Sequence, residues 1–326
     1  MNVGEGEHFM PSFARQLKSE LARRKISSKC CERAEIKAFL QMSGMVIINE
    51  GYFKISIQTE TASVARRLFS LFKSWFGDAP EILLCQVKRL QEHNNYLLQV
   101  GQKESVLRAL ETFGFLGYNK EGTAFCVRSQ EGQPEDLAKQ CCRRAFLRAA
   151  FMAKGSITNP EKDYHLEIAV PYESYALLVV RIMEMFQFET RYFQRKEDHV
   201  VYLKGGDAIG EFLRVISAPN ALLEFENVRV MKGVRNKINR LVNCETANLT
   251  KTVFASQEQI SNIKHIQNAI GLESIPASLQ EIALLRLRFP ESTLQELGNK
   301  AQPPLSKSTV NHRLRRLNTL ARKIKG

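Results

Sequence analysis

The chain has 326 residues, 44% hydrophobic and 25% charged, and its 47 Lys and Arg outnumber 34 Asp and Glu to give a formal net charge of +13. This composition excludes disordered and collagen-like classes, and the length predicts roughly two domains. The most apolar helical segment, residues 175–188, is broken by Arg181, Glu184 and Gln187, short of the ~18 uninterrupted apolar residues that a membrane span needs.

Residues 1–20 carry Glu5, Glu7, Arg15 and Lys18 without an apolar core, so no secretory signal is read there and a cytoplasmic location is expected. An internal repeat follows. Cys30-Cys31-Glu32-Arg33-Ala34 and Cys141-Cys142-Arg143-Arg144-Ala145 align at an offset of 111, which persists through Ala38 and Ala149, Leu40 and Phe151, and Gly44 and Gly155. Each predicted helix ends at its glycine, read as the residue just past a helix C-terminus. Alternating strand segments come next, at 45–48 and 53–57 in the first copy and 156–158 and 165–170 in the second. Helices are predicted at 62–76 and 173–188. Strand pairs follow at 82–89 with 96–100 and at 190–194 with 200–204, then closing helices at 103–113 and 207–216. The order α-β-β-α-β-β-α occurs twice, which predicts an α+β fold with a pseudo-two-fold domain over residues 12–222, its repeats at about 30–116 and 140–217. Alanines at i and i+4 on both leading helices would let them pack closely across that axis. Gly205-Gly206 and Gly210 lack phosphate-loop spacing and read as a strand-to-helix turn.

Seven cysteines (30, 31, 85, 126, 141, 142, 244) form no C-x-x-C and no Cys/His group at zinc spacing, so they read as reduced thiols acting as small buried hydrophobes. No metal or cofactor is expected. The six histidines are scattered, and no nucleophile-base arrangement emerges.

A basic helical linker is predicted over residues 223–274. Val230, Val234, Ile238 and Leu241 define one face, and Lys232, Asn236, Asn239 and Asn243 lie opposite, with Arg229, Arg235 and Arg240 at the edges. Asparagine is a poor helix former. The stripe of three is explained by capping of neighbouring loops or by contact with nucleic acid, for which Arg229, Lys232, Arg235, Asn236, Asn239, Arg240 and Asn243 are the expected supporting residues.

Residues 275–326 read as a helix-turn-helix. Ser278 and Glu281 form an expected capping box, with a helix running to Pro290. A second start at Ser292-Thr293 has Gln295 and Glu296 as box partners, and Leu294, Leu297 and Ala301 share a face. Ser306 caps a third helix whose Val310, Leu314, Leu317, Ala321 and Ile324 recur at helical spacing. Its opposite face carries Ser308, His312, Arg315 and Thr319, flanked by Thr309, Asn311 and Arg316, with no acid among them. Ser306, Lys307, Ser308, Thr309, Asn311, His312, Arg313, Arg315 and Arg316 are the expected DNA-binding residues: Arg pairs with guanine, Asn with adenine, and lysine and hydroxyls at a helix start suit phosphates. Residues 303–326 carry +7 and residues 227–251 carry +5, so these two stretches hold +12 of the net +13. Positive charge concentrated in this way is the footprint of a polyanion-binding end.

The duplicated helix-strand unit with a glycine at each centre resembles the LAGLIDADG homing-endonuclease fold. The strings Asn227-Val228-Arg229-Val230-Met231, residues 240–248 and residues 303–316 resemble the WhiA regulators of Gram-positive bacteria. The resemblance implies a degenerate endonuclease-like domain joined to a helix-turn-helix similar to region 4 of sigma factors. It further implies transcriptional control in sporulation, or in cell division and chromosome segregation, at the nucleoid. Nucleases of that fold place a metal-holding acid before each central glycine. Here those positions are Ser43 and Lys154, so no catalytic residue is expected. Double-stranded DNA is the expected partner. Two alternatives are a residual endonuclease, which Ser43 and Lys154 argue against, and a repeated domain that recruits a protein or small ligand while the basic end tethers it to DNA.

Overall fold

The computed structural model describes residues 11–26, 28–49, 52–77, 79–87, 93–118, 124–126 and 137–325. The chain divides into two compact units, Met1–Lys232 and Gly233–Gly326.

The first unit opens with α1 (Phe13–Arg23), an element absent from the expectations above. Ser12 caps it by accepting from the Arg15 N–H at 3.3 Å, and Phe13, Leu17 and Leu21 bury one face at four-residue spacing. The first repeat then runs α2 (Lys29–Ser43), β1 (Gly44–Asn49), β2 (Tyr52–Thr59), α3 (Ala62–Phe76), β3 (Glu81–Val87), β4 (His93–Val100) and α4 (Lys103–Thr112). A short hairpin, β5 (Leu116–Tyr118) with β6 (Ala124–Cys126), was also not anticipated. The second repeat runs α5 (Gln140–Lys154), β7 (Gly155–Ile157), β8 (His165–Val170), α6 (Glu173–Glu184), β9 (Arg191–Arg195), β10 (Asp198–Lys204) and α7 (Gly206–Val215). The two antiparallel sheets have the same order, β1-β2-β4-β3 and β7-β8-β10-β9, so the duplication extends to topology. The α6 helix stops four residues short of the expected 188. Gln187 adopts φ 65°, which turns the chain and lets the Phe188 N–H reach the Met183 carbonyl at 3.2 Å.

The helices α2 and α5 pack against each other at the centre of this unit. Ala34, Ala38, Ala145 and Ala149 are all buried there, as small residues at a close helix crossing should be. Between them lies a buried ion cluster. The Glu35 carboxylate accepts from Arg67 Nε and Nη2 at 2.7 Å each and from Arg148 Nη1 at 2.9 Å. The two central glycines stand just past the ends of α2 and α5, as the sequence predicts, and both are extended: Gly44 at φ −73°, ψ 134° and Gly155 at φ −75°, ψ 146°. Each strand starts at the glycine itself with no intervening loop, and a Cβ there would overlap the Leu40 carbonyl or the Phe151 ring and carbonyl. Close approach, not a positive φ, demands glycine at both places. The left-handed requirement is met at Gly205 (φ 92°), which turns the chain from β10 into α7.

The expected linker is helical from the outset. α8 (Pro219–Ile270) contains the boundary between the two units. Its first turn is capped from α1: the Glu20 carboxylate accepts from the Asn220 and Ala221 N–H groups at 2.9 Å each, meeting orphan donors with a negative charge. The apolar stripe of Val230, Val234, Ile238 and Leu241 falls on this helix as expected, and its side chains are 49–63% exposed. Helical periodicity marks an amphipathic face, but it does not ensure that anything covers it.

The second unit packs the last turns of α8, a 3-10 turn (Leu272–Ser274), α9 (Ala277–Arg288), α10 (Leu294–Lys300) and α11 (Lys307–Lys325) around Ile263, Ile266, Ile282, Leu297, Val310 and Leu317. The capping box at α10 is present: Thr293 Oγ1 accepts from the Glu296 N–H, and the Glu296 carboxylate accepts from the Thr293 N–H. The box expected at Ser278 and Glu281 is not. The residue before α9 is Pro276, which places Ser278 inside the helix. Glu281 instead accepts from the Gln302 N–H at 2.9 Å and from Arg313 at 3.0 Å. Arg286 is the largest fully buried side chain among the described residues, and it donates to the Ser292 carbonyl at 2.6 Å and the Pro290 carbonyl at 3.3 Å, fixing the turn between α9 and α10. Burial without a carboxylate partner pulls its pKa below the ordinary arginine value.

Gly298 sets the spacing of the next turn. Its carbonyl accepts from the Leu305 N–H at 2.9 Å, and a Cβ would overlap the Leu305 carbonyl, which is backbone and cannot swing aside. Gly298→Ala is therefore expected to destabilise the second unit by about 1–3 kcal/mol despite the better helix propensity of alanine. Chemical denaturation read on this unit checks it, and an unchanged or raised midpoint contradicts the close-contact account.

Candidate nucleic-acid interface

The turn between α10 and α11 leads into the third helix through Ser306, which caps it. Ser306 Oγ accepts from the Thr309 N–H at 3.2 Å and hydrogen-bonds the Ser308 and Thr309 hydroxyls at 2.8 and 2.9 Å. Val310, Leu314, Leu317 and Ala321 bury the inner face. Lys307, Ser308, His312, Arg315, Arg316 and Thr319 are exposed on the outer one, and Thr309 and Asn311 are half-buried beside them. No Asp or Glu follows Glu296 in the sequence. The Thr319 hydroxyl is turned back onto the Arg315 carbonyl at 3.0 Å. Arg313 stands apart, donating to Glu281 at 3.0 Å and to the Ser278 carbonyl at 3.1 Å, so its guanidinium braces α11 against α9.

The second basic stretch also divides. Arg235, Asn236, Asn239, Arg240 and Asn243 are exposed on α8. Arg229 pairs with Asp207 at 2.6 Å and Glu226 at 2.9 Å, and the Asp207 hydrogen bond raises its pKa further. Lys232 donates to the Lys162 carbonyl at 3.1 Å and lies 4.7 Å from the Tyr164 ring centroid. Both residues anchor the start of α8 to the first unit.

At the ends of the central helices, the Ser43 hydroxyl donates back to the Phe39 carbonyl at 3.1 Å, and Lys154 is exposed. Lys18 lies close by, its pKa lowered by burial, raised by Glu60 and lowered again by the Lys154 ammonium. A hydroxyl turned inward and two lysine amines cannot hold the divalent cations that the endonuclease chemistry requires. Asp163 caps the neighbouring Tyr164 N–H at 2.7 Å from a loop. The strand register places Met45, Ile47, Lys54, Glu81 and Leu83 on one face of the first sheet, around the buried Ser56, which makes that face nearly neutral and partly apolar.

The cysteines depart most from expectation. Cys31 and Cys142 are buried, Cys30 is half-buried, and Cys85, Cys141 and Cys244 are exposed, so the buried-hydrophobe reading holds for two of these six. Close packing of α2 and α5 brings Cys30, Cys31, Cys141 and Cys142 together, with all four Sγ atoms within 4.8 Å of one another. Hydrogen bonds from Ser28 and Cys142 lower the Cys30 thiol to about 7, while burial pushes Cys142 up to about 12. The spacing within either vicinal pair gives no sign of this group. The signal is the repeat offset, which sets the two pairs at equivalent ends of two helices that meet.

Three family models match in succession: the WhiA N-terminal LAGLIDADG-like domain at residues 29–115, the WhiA LAGLIDADG-like domain at 143–235 and the WhiA C-terminal HTH domain at 238–321. The chain is 46% identical over 314 residues to a probable cell division protein WhiA of Natranaerobius thermophilus, covering 96% of this chain and 95% of the relative. It is 44% identical over 316 residues to the protein of the same description from Desulforamulus reducens, covering 96% of each. Among solved structures, full-length DUF199/WhiA from Thermatoga maritima has the same fold at a TM-score of 0.56 and 24% identity, covering 96% of this chain and 99% of that one.

Proposed function

The chain belongs to the WhiA family, and from that premise we propose that it is a non-enzymatic, sequence-specific DNA-binding transcriptional regulator that acts at the nucleoid in cell division and chromosome segregation, or in sporulation. The observation that carries this reading is α11, a helix on a helix-turn-helix core whose exposed face bears Lys307, Ser308, His312, Arg315 and Arg316 with no acid among them. A helix with that face fits the major groove, where Arg315 and Asn311 reach base edges and Lys307, Ser308 and Thr309 at the helix start meet phosphate. Arg235, Asn236, Asn239, Arg240 and Asn243 on α8 are the supporting contacts. Arg229, Lys232 and Arg313 serve the protein's own packing instead. Protein recruitment by the repeated domain is a second role, favoured by the nearly neutral outer face of the first sheet, where Met45, Ile47 and Leu83 are exposed.

Selection from a random duplex pool tests the reading. The wild-type chain is expected to enrich a defined motif. Arg315→Ala should relax the preference at one position by roughly tenfold or more, and Lys307→Ala should weaken binding to all sequences alike. If no motif is enriched, or both variants lose specificity equally, α11 is not the reading helix.

A further inference from the structure

We propose that Cys30, Cys31, Cys141 and Cys142 form a tetrathiolate site for one zinc ion, which ties the two repeats together at the N-terminal ends of α2 and α5. Zinc bound by four cysteines is tetrahedral with bonds of ~2.3 Å, so its sulfurs stand ~3.8 Å apart. The four Sγ atoms already lie within 4.8 Å of one another, and Cys141 and Cys142 are at 3.9 Å. Small rotations of the side chains close the remaining gap. An iron-sulfur cluster places two or more irons between its ligands and needs the sulfurs spread more widely.

The surroundings suit the charge. On binding, each thiol releases its proton to solvent, and a zinc dication with four thiolates carries a net −2. That charge would sit on the N-termini of two 15-residue helices, where unpaired N–H groups and the helix dipoles favour an anion. Neither helix receives a side-chain cap from the residue before it, Ser28 or Lys139, unlike α10, which has a full capping box. The Ser28 hydroxyl instead lies 3.2 Å from both Cys30 Sγ and Cys31 Sγ, placed to steady two ligands. Cys30 and Cys141 are accessible and Cys31 and Cys142 are buried, so an ion could enter from solvent and end within the helix pair.

Four protein sulfurs leave no open position, which makes the site structural. It lies at the opposite ends of α2 and α5 from Ser43 and Lys154, 12–13 residues or ~18–20 Å along each helix. The two repeats would then be joined at one end of their helix crossing by zinc and further along it by the Glu35 ion cluster.

The full-length chain, purified reduced and stripped of metal, is to be titrated with Co²⁺ and then Zn²⁺. The expected result is about one equivalent of cobalt, with intense visible bands of tetrahedral thiolate coordination that zinc displaces, and about one zinc per chain by elemental analysis after dialysis. Cys141→Ser, at an exposed position that folding tolerates, should weaken metal binding by at least about tenfold, as should Cys30→Ser. Cys85→Ser and Cys244→Ser should leave it unchanged. Absence of the cobalt bands overturns the proposal, as does metal binding that survives both ligand variants. So does a native mass showing two hydrogens lost per cysteine pair in place of a bound metal.

Discussion

Glu35→Ala is expected to lower the stability of the repeated domain by about 3–5 kcal/mol, a large share of the ~5–15 kcal/mol that holds a typical domain folded. The carboxylate is completely buried, and the side chains of Arg67 and Arg148 are 6% and 8% exposed. Arg67 also donates to the Ala22 and Arg24 carbonyls at 3.1 and 2.6 Å, and Arg148 to the Ile216 carbonyl at 3.0 Å. One acid thus gathers α2, α3 and α5 with the chain ends of α1 and α7. Its removal leaves two buried guanidiniums without their carboxylate, and burial already lowers the Arg148 pKa. Attraction between the charges is not the main issue, because desolvation offsets much of it; the cost is that of uncompensated charge. A triple variant, Glu35→Leu with Arg67→Met and Arg148→Met, should therefore recover most of what Glu35→Ala loses. Urea denaturation measures both. A Glu35→Ala midpoint equal to wild type would show that water or a local shift relieves the two arginines.

This cluster was illegible in the sequence for a reason the repeat itself supplies. The offset of 111 pairs Glu35 with Phe146 and Arg148 with Lys37, so comparing the copies directs attention away from an interaction that breaks their symmetry. Features that obey the repeat were readable: the order of elements, the buried alanines and the common strand order all follow from hydrophobic period plus duplication. The cysteine group obeys the repeat too. Spacing along the chain does not reveal it, because the two pairs meet across a helix crossing. At the helix-turn-helix, period and the Thr293 cap were legible. Ser278 lies inside α9 because Pro276, with its fixed φ, starts the helix just upstream. Which cations were already paired could not be read, since Arg313 with Glu281 and Arg229 with Asp207 are 32 and 22 residues apart.

Those pairings decide the form of the salt dependence. Raising salt from 50 to 200 mM is expected to weaken DNA binding roughly 10³-fold if about six phosphates are neutralised, since each contributes close to one unit of logarithmic slope. Exposed cations placed to do so include Lys307, Arg315, Arg316 and Lys323 on α11 and Arg235, Lys237, Arg240 and Lys251 on α8. Arg229 and Lys232 are held on the first unit, and Arg313 is held by Glu281. Arg235→Gln with Arg240→Gln should therefore lower the slope by about two if α8 supports the complex. Arg229→Gln should leave the slope alone and instead reduce stability, because Asp207 and Glu226 lose their partner. Titrations at several salt concentrations separate the cases. An unchanged slope in the Arg235/Arg240 variant confines the interface to α11, and a reduced slope in Arg229→Gln means that this arginine exchanges its acids for phosphate on binding.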